Sequence, residues 1–337
     1  MADRPTRHED RPGSRPPRHR YATRLNSVRG AEATRSVTEA ILAIGQVPGA
    51  GAIELNAPQH LDGQDLVALR SAIDASGLPV TAMNLRFEGA RFRDGAFTNP
   101  DEATRRAAID IARHAVESAV AFGADHVIVW LADDGFDAAG QVDYRRVWDD
   151  AVDGVAIVAR HDPEVRVSIE YKPREPRAFS VFRTMGDALL AANQTGLPNV
   201  GVTLDVCHAL MTGEYPAMAA ALAFRADRLY GVHLNDGHGW GDDGLPVGTV
   251  HPWASLDLLL TLREGGYDGT IYFDTFPVRE DPLAEFAANI ATVERYEAVI
   301  DRLDRAALSA ARATHDALAV GAAWQRAWDR RAREERT

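Results

Sequence analysis

Val200-Gly-Val-Thr-Leu-Asp205 is a short run of β-branched and apolar residues that stops on a carboxylate. A run of this length and composition suits a strand buried on both faces. The pattern recurs in Val167-Ser-Ile-Glu170, Leu229-Tyr-Gly-Val-His233 and Thr270-Ile-Tyr-Phe-Asp274, each a predicted strand whose last residue is a metal-type ligand. Successive members are one βα unit apart. Parallel strands of a closed barrel bring their C-terminal ends to one rim, so ligands remote in sequence can converge there. Three carboxylates and one imidazole suit a divalent cation of the Mg, Mn, Co or Zn type.

Working outward, the same alternation of apolar runs and amphipathic segments extends along the chain. Predicted strands are Tyr21–Asn26, Ala52–Leu55, Val80–Leu85, His126–Trp130, Val167–Tyr171, Val200–Asp205, Leu229–Leu234 and Thr270–Asp274. Helical periodicity separates them, at about 34–44, 61–75, 100–122, 143–161, 185–194, 217–224, 253–263 and 283–302. Helix starts such as Thr98-Asn-Pro-Asp-Glu102, and stops at Gly123, Gly196 and Gly265, punctuate the pattern. Eight βα repeats predict an α/β fold, a (β/α)8 TIM barrel over residues 21–300. An open doubly wound sheet would carry a Gly-rich phosphate turn after its first strand, where this chain has Asn26-Ser-Val-Arg-Gly30. Residues 1–20, a mixture of Arg and Pro, are expected to be a disordered tail. Residues 301–337, with Leu308, Leu318, Trp324 and Trp328 at helical spacing, form a predicted C-terminal helical extension that packs on the barrel or on a neighbouring subunit.

The 337 residues are 46% hydrophobic and 26% charged, with a formal net charge of −12. That charge argues against nucleic acid and anionic membrane as partners. A lone Cys207 and the lack of a long apolar segment make the cytoplasm the expected location.

Pleat alternation puts Lys172 on the face of Glu170, at the barrel mouth. The plain alternative is an ion pair between the two. In Asp205-Val-Cys-His208 the histidine returns to the same rim as the aspartate, although this spacing also suits a helix N-cap beside a satisfied histidine. The segment 231–252 is rich in glycine and carries His238, Asp242, Asp243 and His251. Lys172, His208, Asp243 and His251 are the candidate catalytic residues. Asn84 and Arg86 at the end of the third strand are candidate hydroxyl contacts, with Trp130 a flat wall for a sugar ring and His238 a further substrate contact.

Ile169-Glu-Tyr-Lys-Pro-Arg-Glu-Pro176, Leu204-Asp-Val-Cys-His208, Val232-His-Leu-Asn-Asp236 with Gly241-Asp242-Asp243, and Tyr272-Phe-Asp274 together resemble the xylose-isomerase-like barrel superfamily. The motifs are most similar to those of broad-specificity bacterial L-rhamnose isomerases and related sugar isomerase/epimerase homologues. The resemblance implies that Glu170, Asp205, His233 and Asp274 hold one divalent ion, manganese foremost. It also implies that Glu170, His208 and Asp242 hold a second. The implied function is a metal-dependent sugar isomerase or epimerase. The same superfamily includes the catalytic subunits of C-glycoside deglycosidases, lyases that eliminate the aglycone from 3-oxo-C-glycosides beside a small β-rich second subunit. Both readings require a base near a metal-polarised carbonyl. The expected partners are a small-molecule sugar or glycoside and further copies of the chain, with the β-rich subunit added on the lyase alternative. A DNA-repair-type hydrolase would need more histidine ligands on the early strands and a basic surface. A non-catalytic sugar-binding role would need no metal.

Overall fold

The computed structural model describes residues 18–30, 33–175 and 178–334, with side chains to residue 329. Among the described residues there are ten strands: β1 Arg20–Thr23, β2 Ile53–Ala57, β3 Val80–Leu85, β4 His126–Val129, β5 Gly135–Phe136, β6 Arg166–Glu170, β7 Phe179–Ser180, β8 Val200–Asp205, β9 Leu229–His233 and β10 Thr270–Phe273. Eight of them form one parallel sheet in the order β1-β10-β9-β8-β6-β4-β3-β2. The remaining seam, between β1 and β2, is bridged where Gly51 N and Ala52 N donate to Tyr21 O at 2.9 and 3.0 Å. Only glycine fits at 51, since a Cβ there would lie 2.9 Å from Tyr21 N. The predicted eight-stranded barrel is therefore the observed one.

The helices surround it: α1 Leu25–Arg29, α2 Val37–Ile44, α3 Leu66–Ser76, α4 Glu102–Phe122, α5 Tyr144–His161, α6 Met185–Gln194, α7 Val206–Thr212, α8 Pro216–Arg225, α9 Pro252–Gly265, α10 Pro282–Asp301, α11 Arg305–Ala313 and α12 Ala317–Glu334. Asp65, Asp101, Asp143, Asp281 and Asp304 cap their helices, each accepting from backbone N–H groups of the first turn. Outward strand residues such as Ile53, Leu55, Val167, Ile169, Val202 and Leu204 fill the main core against the helices. The barrel interior is different in kind. Its apolar content includes the small cluster Ala22, Ala52 and Tyr272, with Ile128 alongside, and beside them buried polar groups satisfy one another. His126 Nε2 meets Ser168 Oγ at 2.7 Å, and Ser168 Oγ meets Thr203 Oγ1 at 2.6 Å.

Two boundaries differ from expectation. The first strand ends at Thr23 rather than Asn26, because Leu25 and Val28 turn inward on α1 and are buried there. The ordered domain begins before Tyr21. Arg18 bonds Asp301 at 2.8 Å and His19 contacts the buried Glu297 at 3.1 Å; of the predicted tail, residues 1–17 lie outside the described residues. The C-terminal extension packs on its own barrel, with Leu308, Trp324 and Ala327 buried and Trp328 against Tyr296 and Trp253.

Burial holds the pKa of His126 down at about 3 against an ordinary 6.5, with Arg166 adding to the effect. As pH falls below 6.5 the unfolded chain binds a proton at this site that the folded chain refuses. His126 therefore lowers stability as the pH drops from about 6.5 towards 3, by about 1.4 kcal/mol per pH unit. Whatever a His126→Asn substitution costs at pH 8, that cost should shrink by about this slope between pH 6 and 4.5. Parallel urea titrations of the two proteins check it, and a pH-independent difference would contradict it.

Candidate metal centre and active site

Glu170 ends β6, Asp205 ends β8, His233 ends β9 and Asp274 directly follows β10. The register places Glu170 beside Thr203, Asp205 beside His233, and His233 beside Tyr272. All four side chains are buried at one rim, and one ligand atom from each lies within 4.8 Å of the others. His233 Nδ1 lies 3.2 Å from Glu170 Oε1. Glu170 Oε2, His233 Nε2 and Asp274 Oδ1 are buried without a hydrogen bond among the described residues. Unsatisfied buried polar atoms of this kind are costly and ask for a partner. Three carboxylates and an imidazole at this separation fit a divalent cation.

The electrostatics of the four residues show how strained the protein-only arrangement is. Burial alone would raise the Glu170 carboxyl, but the His233 and His208 imidazoles hold it down at about 2. Burial pushes Asp205 up to about 7 against the pull of His208. Burial also raises Asp274, with Arg24 and His233 opposing. His233 is driven to about 9 because Glu170 and Asp274 overcome its desolvation. A cation at the centre would replace these protons as the source of positive charge.

Asp205 also caps α7: its Oδ1 accepts from His208 N at 2.9 Å and its Oδ2 from Asn235 Nδ2 at 3.0 Å. The sequence pattern predicts a loop at His208, where the structure forms α7, started by the Asp205 cap. Asp205, His208 and Asp242 form a second group whose ligand atoms lie within 4.8 Å of one another. This trio contains Asp205 in place of the expected Glu170, whose Oε1 is 3.7 Å from His208 Nδ1. His208 Nε2 lies 3.3 Å from Asp242 Oδ2. Lys172 Nζ pairs with Glu175 at 2.8 Å and with Asp242 at 3.1 Å. The alternative of a direct Glu170–Lys172 ion pair is thereby replaced by one that joins two rim loops.

A cavity of about 520 Å³ opens above the four ligands, lined among others by Arg24, Asn26, Arg86, Trp130, Glu170 and His208. Trp130 lies under two cations, Arg86 at 4.6 Å and Lys172 at 5.2 Å from a ring centroid. The open flat wall expected of it is thus shared with charged groups. Asn84 is buried below the cavity and donates to Glu54 at 3.1 Å. His251, Asp243 and His238 do not line the cavity. His251 Nδ1 is 2.9 Å from Asp236 Oδ1, Asp243 Oδ2 accepts from His238 N at 2.7 Å, and the His238 ring stacks on Trp240. The reason is Asp236, which is fully buried and accepts from Gly237, Val250 and His251 N–H groups, pinning both ends of the loop away from the metal ligands.

Several site residues escaped the sequence reading. Arg24 Nε stands 3.4 Å from Asp274 Oδ1, and Asn26 is oriented by His60, whose Nε2 is 2.8 Å from Asn26 Oδ1. Glu54 is buried near His233, its pKa raised by burial. Glu54 carried a sequence signal, since it alternates with Asn56 along one strand face, whereas Arg24 lies inside the predicted strand Tyr21–Asn26 and is freed only because β1 ends at Thr23.

The sequence model of the family described as "Xylose isomerase-like TIM barrel" matches residues 46–312. The chain is 29% identical over 232 residues to a xylose isomerase of Thermus thermophilus, covering 66% of this chain and 59% of that one. It is 29% identical over 271 residues to a probable sugar isomerase of Rhizobium meliloti, covering 75% and 61%. The chain thus spans about three-fifths of the length of these curated relatives. Among solved structures, a D-tagatose 3-epimerase-like protein superposes with a TM-score of 0.68 at 18% identity, covering 84% of this chain and 98% of that one, which shows the shared fold.

Proposed function

The chain belongs to the xylose isomerase-like TIM barrel family, and from that premise we propose that it is a divalent-metal-dependent sugar isomerase or epimerase. The observation that carries this reading is the convergence of Glu170, Asp205, His233 and Asp274 beneath a polar cavity at the C-terminal face of the barrel. Related sugar isomerases support the reaction class. A divalent cation held there would polarise the sugar carbonyl and stabilise the oxyanion that develops as the adjacent carbon exchanges a proton or hydride. Manganese is the first metal to test, before Mg, Co and Zn.

The chain's own groups divide the remaining work. His208 lines the cavity; burial alone would lower its pKa, but the carboxylates of Asp205, Asp242 and Glu170 raise it to about 9, so its ring would return a proton to the substrate, and would take one up once a bound cation offsets those carboxylates. Asp242 holds Nε2 of the same ring, and Lys172 holds Asp242 in turn, so the ring is oriented from behind. Arg24 and Arg86 at the rim supply donors for sugar hydroxyls.

Metal analysis of the purified protein, followed by assays of aldose–ketose interconversion and epimerisation, tests the proposal, and proton exchange in deuterated water separates proton transfer from hydride shift. Metal-free protein that stays metal-free on incubation with Mn, Co or Zn would overturn it. His208→Asn should retain the four-ligand metal while exchange falls by about 10²-fold or more. Lys172→Met should also keep the metal and lose about tenfold or more in turnover, because Asp242 is released from its clamp. Unchanged exchange in both variants would remove the Lys172–Asp242–His208 chain from the mechanism.

A further inference from the structure

A second cavity, of about 670 Å³, stands beside the first and is lined among others by Thr98, Asp133, Phe136, Val142, Asp143 and Glu175. Asp133 and Glu175 also line the inner cavity, so the two spaces meet at those side chains. The outer wall is a fixed structure. Strands β5 and β7 pair antiparallel, Gly135 with Ser180 and Phe136 with Phe179. They approach so closely that a Cβ on Gly135 would fall 1.9 Å from Phe179 O. The buried Asp134 accepts from Ala96 N at 2.9 Å, Thr98 N at 2.7 Å and Thr98 Oγ1 at 2.9 Å, while Val181 N donates to Asp134 O. The loops after β3, β4 and β6 are therefore tied into one rigid rim, and the metal ligands need none of these ties for their own placement.

We propose that the substrate is a two-unit glycoside, with one sugar ring over the four-ligand cluster and a second hydroxyl-rich unit in the outer cavity, where Asp133 accepts hydroxyl hydrogens at the junction. The inference rests on the reading of the inner cavity as a sugar site. Asp133 is exposed between the two spaces and has no hydrogen bond or ion pair among the described residues. Sugar hydroxyls are donors that such a carboxylate takes up directly. An aryl unit in the same place would strip Asp133 of water and offer nothing in exchange. Phe136 adds an apolar surface for the C–H face of a ring. A free monosaccharide would leave the outer cavity filled with water alone.

The test is equilibrium binding to the full-length, Mn-loaded protein, with aldohexoses, the reducing disaccharides cellobiose, lactose and maltose, and phenyl β-D-glucoside as probes. At least one disaccharide should bind ten times more tightly than its component hexoses and than the phenyl glucoside. Val142→Trp, which fills the outer cavity, should reduce the disaccharide-to-hexose affinity ratio at least fivefold. Asp133→Asn, a change at an exposed position that keeps the shape of the side chain, should reduce it in the same direction if the first variant folds poorly. Equal binding of hexoses, preference for the phenyl glucoside, no binding by any probe, or an unchanged ratio in Asp133→Asn would overturn the inference. Disaccharide binding without interconversion of any sugar, by proton transfer or by hydride shift, would sustain the two-unit site and sink the isomerase reading; hexose interconversion with no disaccharide preference would do the reverse.

Discussion

Asp205→Ala should abolish metal binding, with bound divalent ion falling from near stoichiometric to a small fraction in elemental analysis of the dialysed protein. The residue contributes one of four ligand atoms, belongs also to the second trio, and bonds both His208 N and Asn235 Nδ2. Its loss removes charge from the cluster and frees the first turn of α7, which carries His208. Capping alone accounts for about 1 kcal/mol. The larger effect is on metal-linked stability: a ligand at a hundred times its Kd stabilises the native state by about 2.7 kcal/mol, and that increment should vanish in the variant. Thermal melts with and without Mn measure it directly. A wild-type shift of the melting temperature by metal in Asp205→Ala would show that the ion binds elsewhere.

Asp134→Ala should be the most destabilising change at the barrel mouth, by about 3 kcal/mol, because buried N–H and O–H donors of Ala96 and Thr98 lose their acceptor together. Burial pushes the Asp134 carboxyl up, and the donors from Ala96 and Thr98 oppose that shift. The consequence is local as well as global. The β3–α4 and β4–α5 loops lose their shared anchor, so limited proteolysis should cut near residues 94–99 and 133–137 before the barrel unfolds. Urea midpoints and the order of cleavage check both parts. A variant as stable and as protease-resistant as the parent would mean that the β5–β7 pairing alone holds the rim.

The barrel and its ligand-bearing strand ends were legible because both follow from local chemistry. Buried parallel strands need β-branched, apolar runs, and the residue at the end of such a run is carried to one rim by the topology. Glu170, Asp205, His233 and Asp274 are identified by that rule without any knowledge of distance. The rule falters where a polar residue has two ways to be satisfied. Asp243, His238 and His251 carry the right chemistry, but backbone donors around Asp236 and neighbouring loop residues claim them first. Arg24 and Glu54 were passed over for the opposite reason: each looks like an ordinary charge until the barrel closes and brings Arg24 to Asp274 and Glu54 near His233.

By itself, the sequence determined the α/β repeat, the eightfold strand count and which four side chains, Glu170, Asp205, His233 and Asp274, meet at the rim, since periodicity and strand-end identity are encoded within windows of a few residues. Only the tertiary structure decided that Lys172 clamps Asp242 and Glu175, that α7 exists and is capped by a metal-type ligand, that the C-terminal helices cover their own barrel, and that β5 and β7 raise a second wall beside the mouth. Those outcomes depend on which polar groups meet across loops far apart in the chain, and that competition among partners is settled only when the loops are brought to one rim.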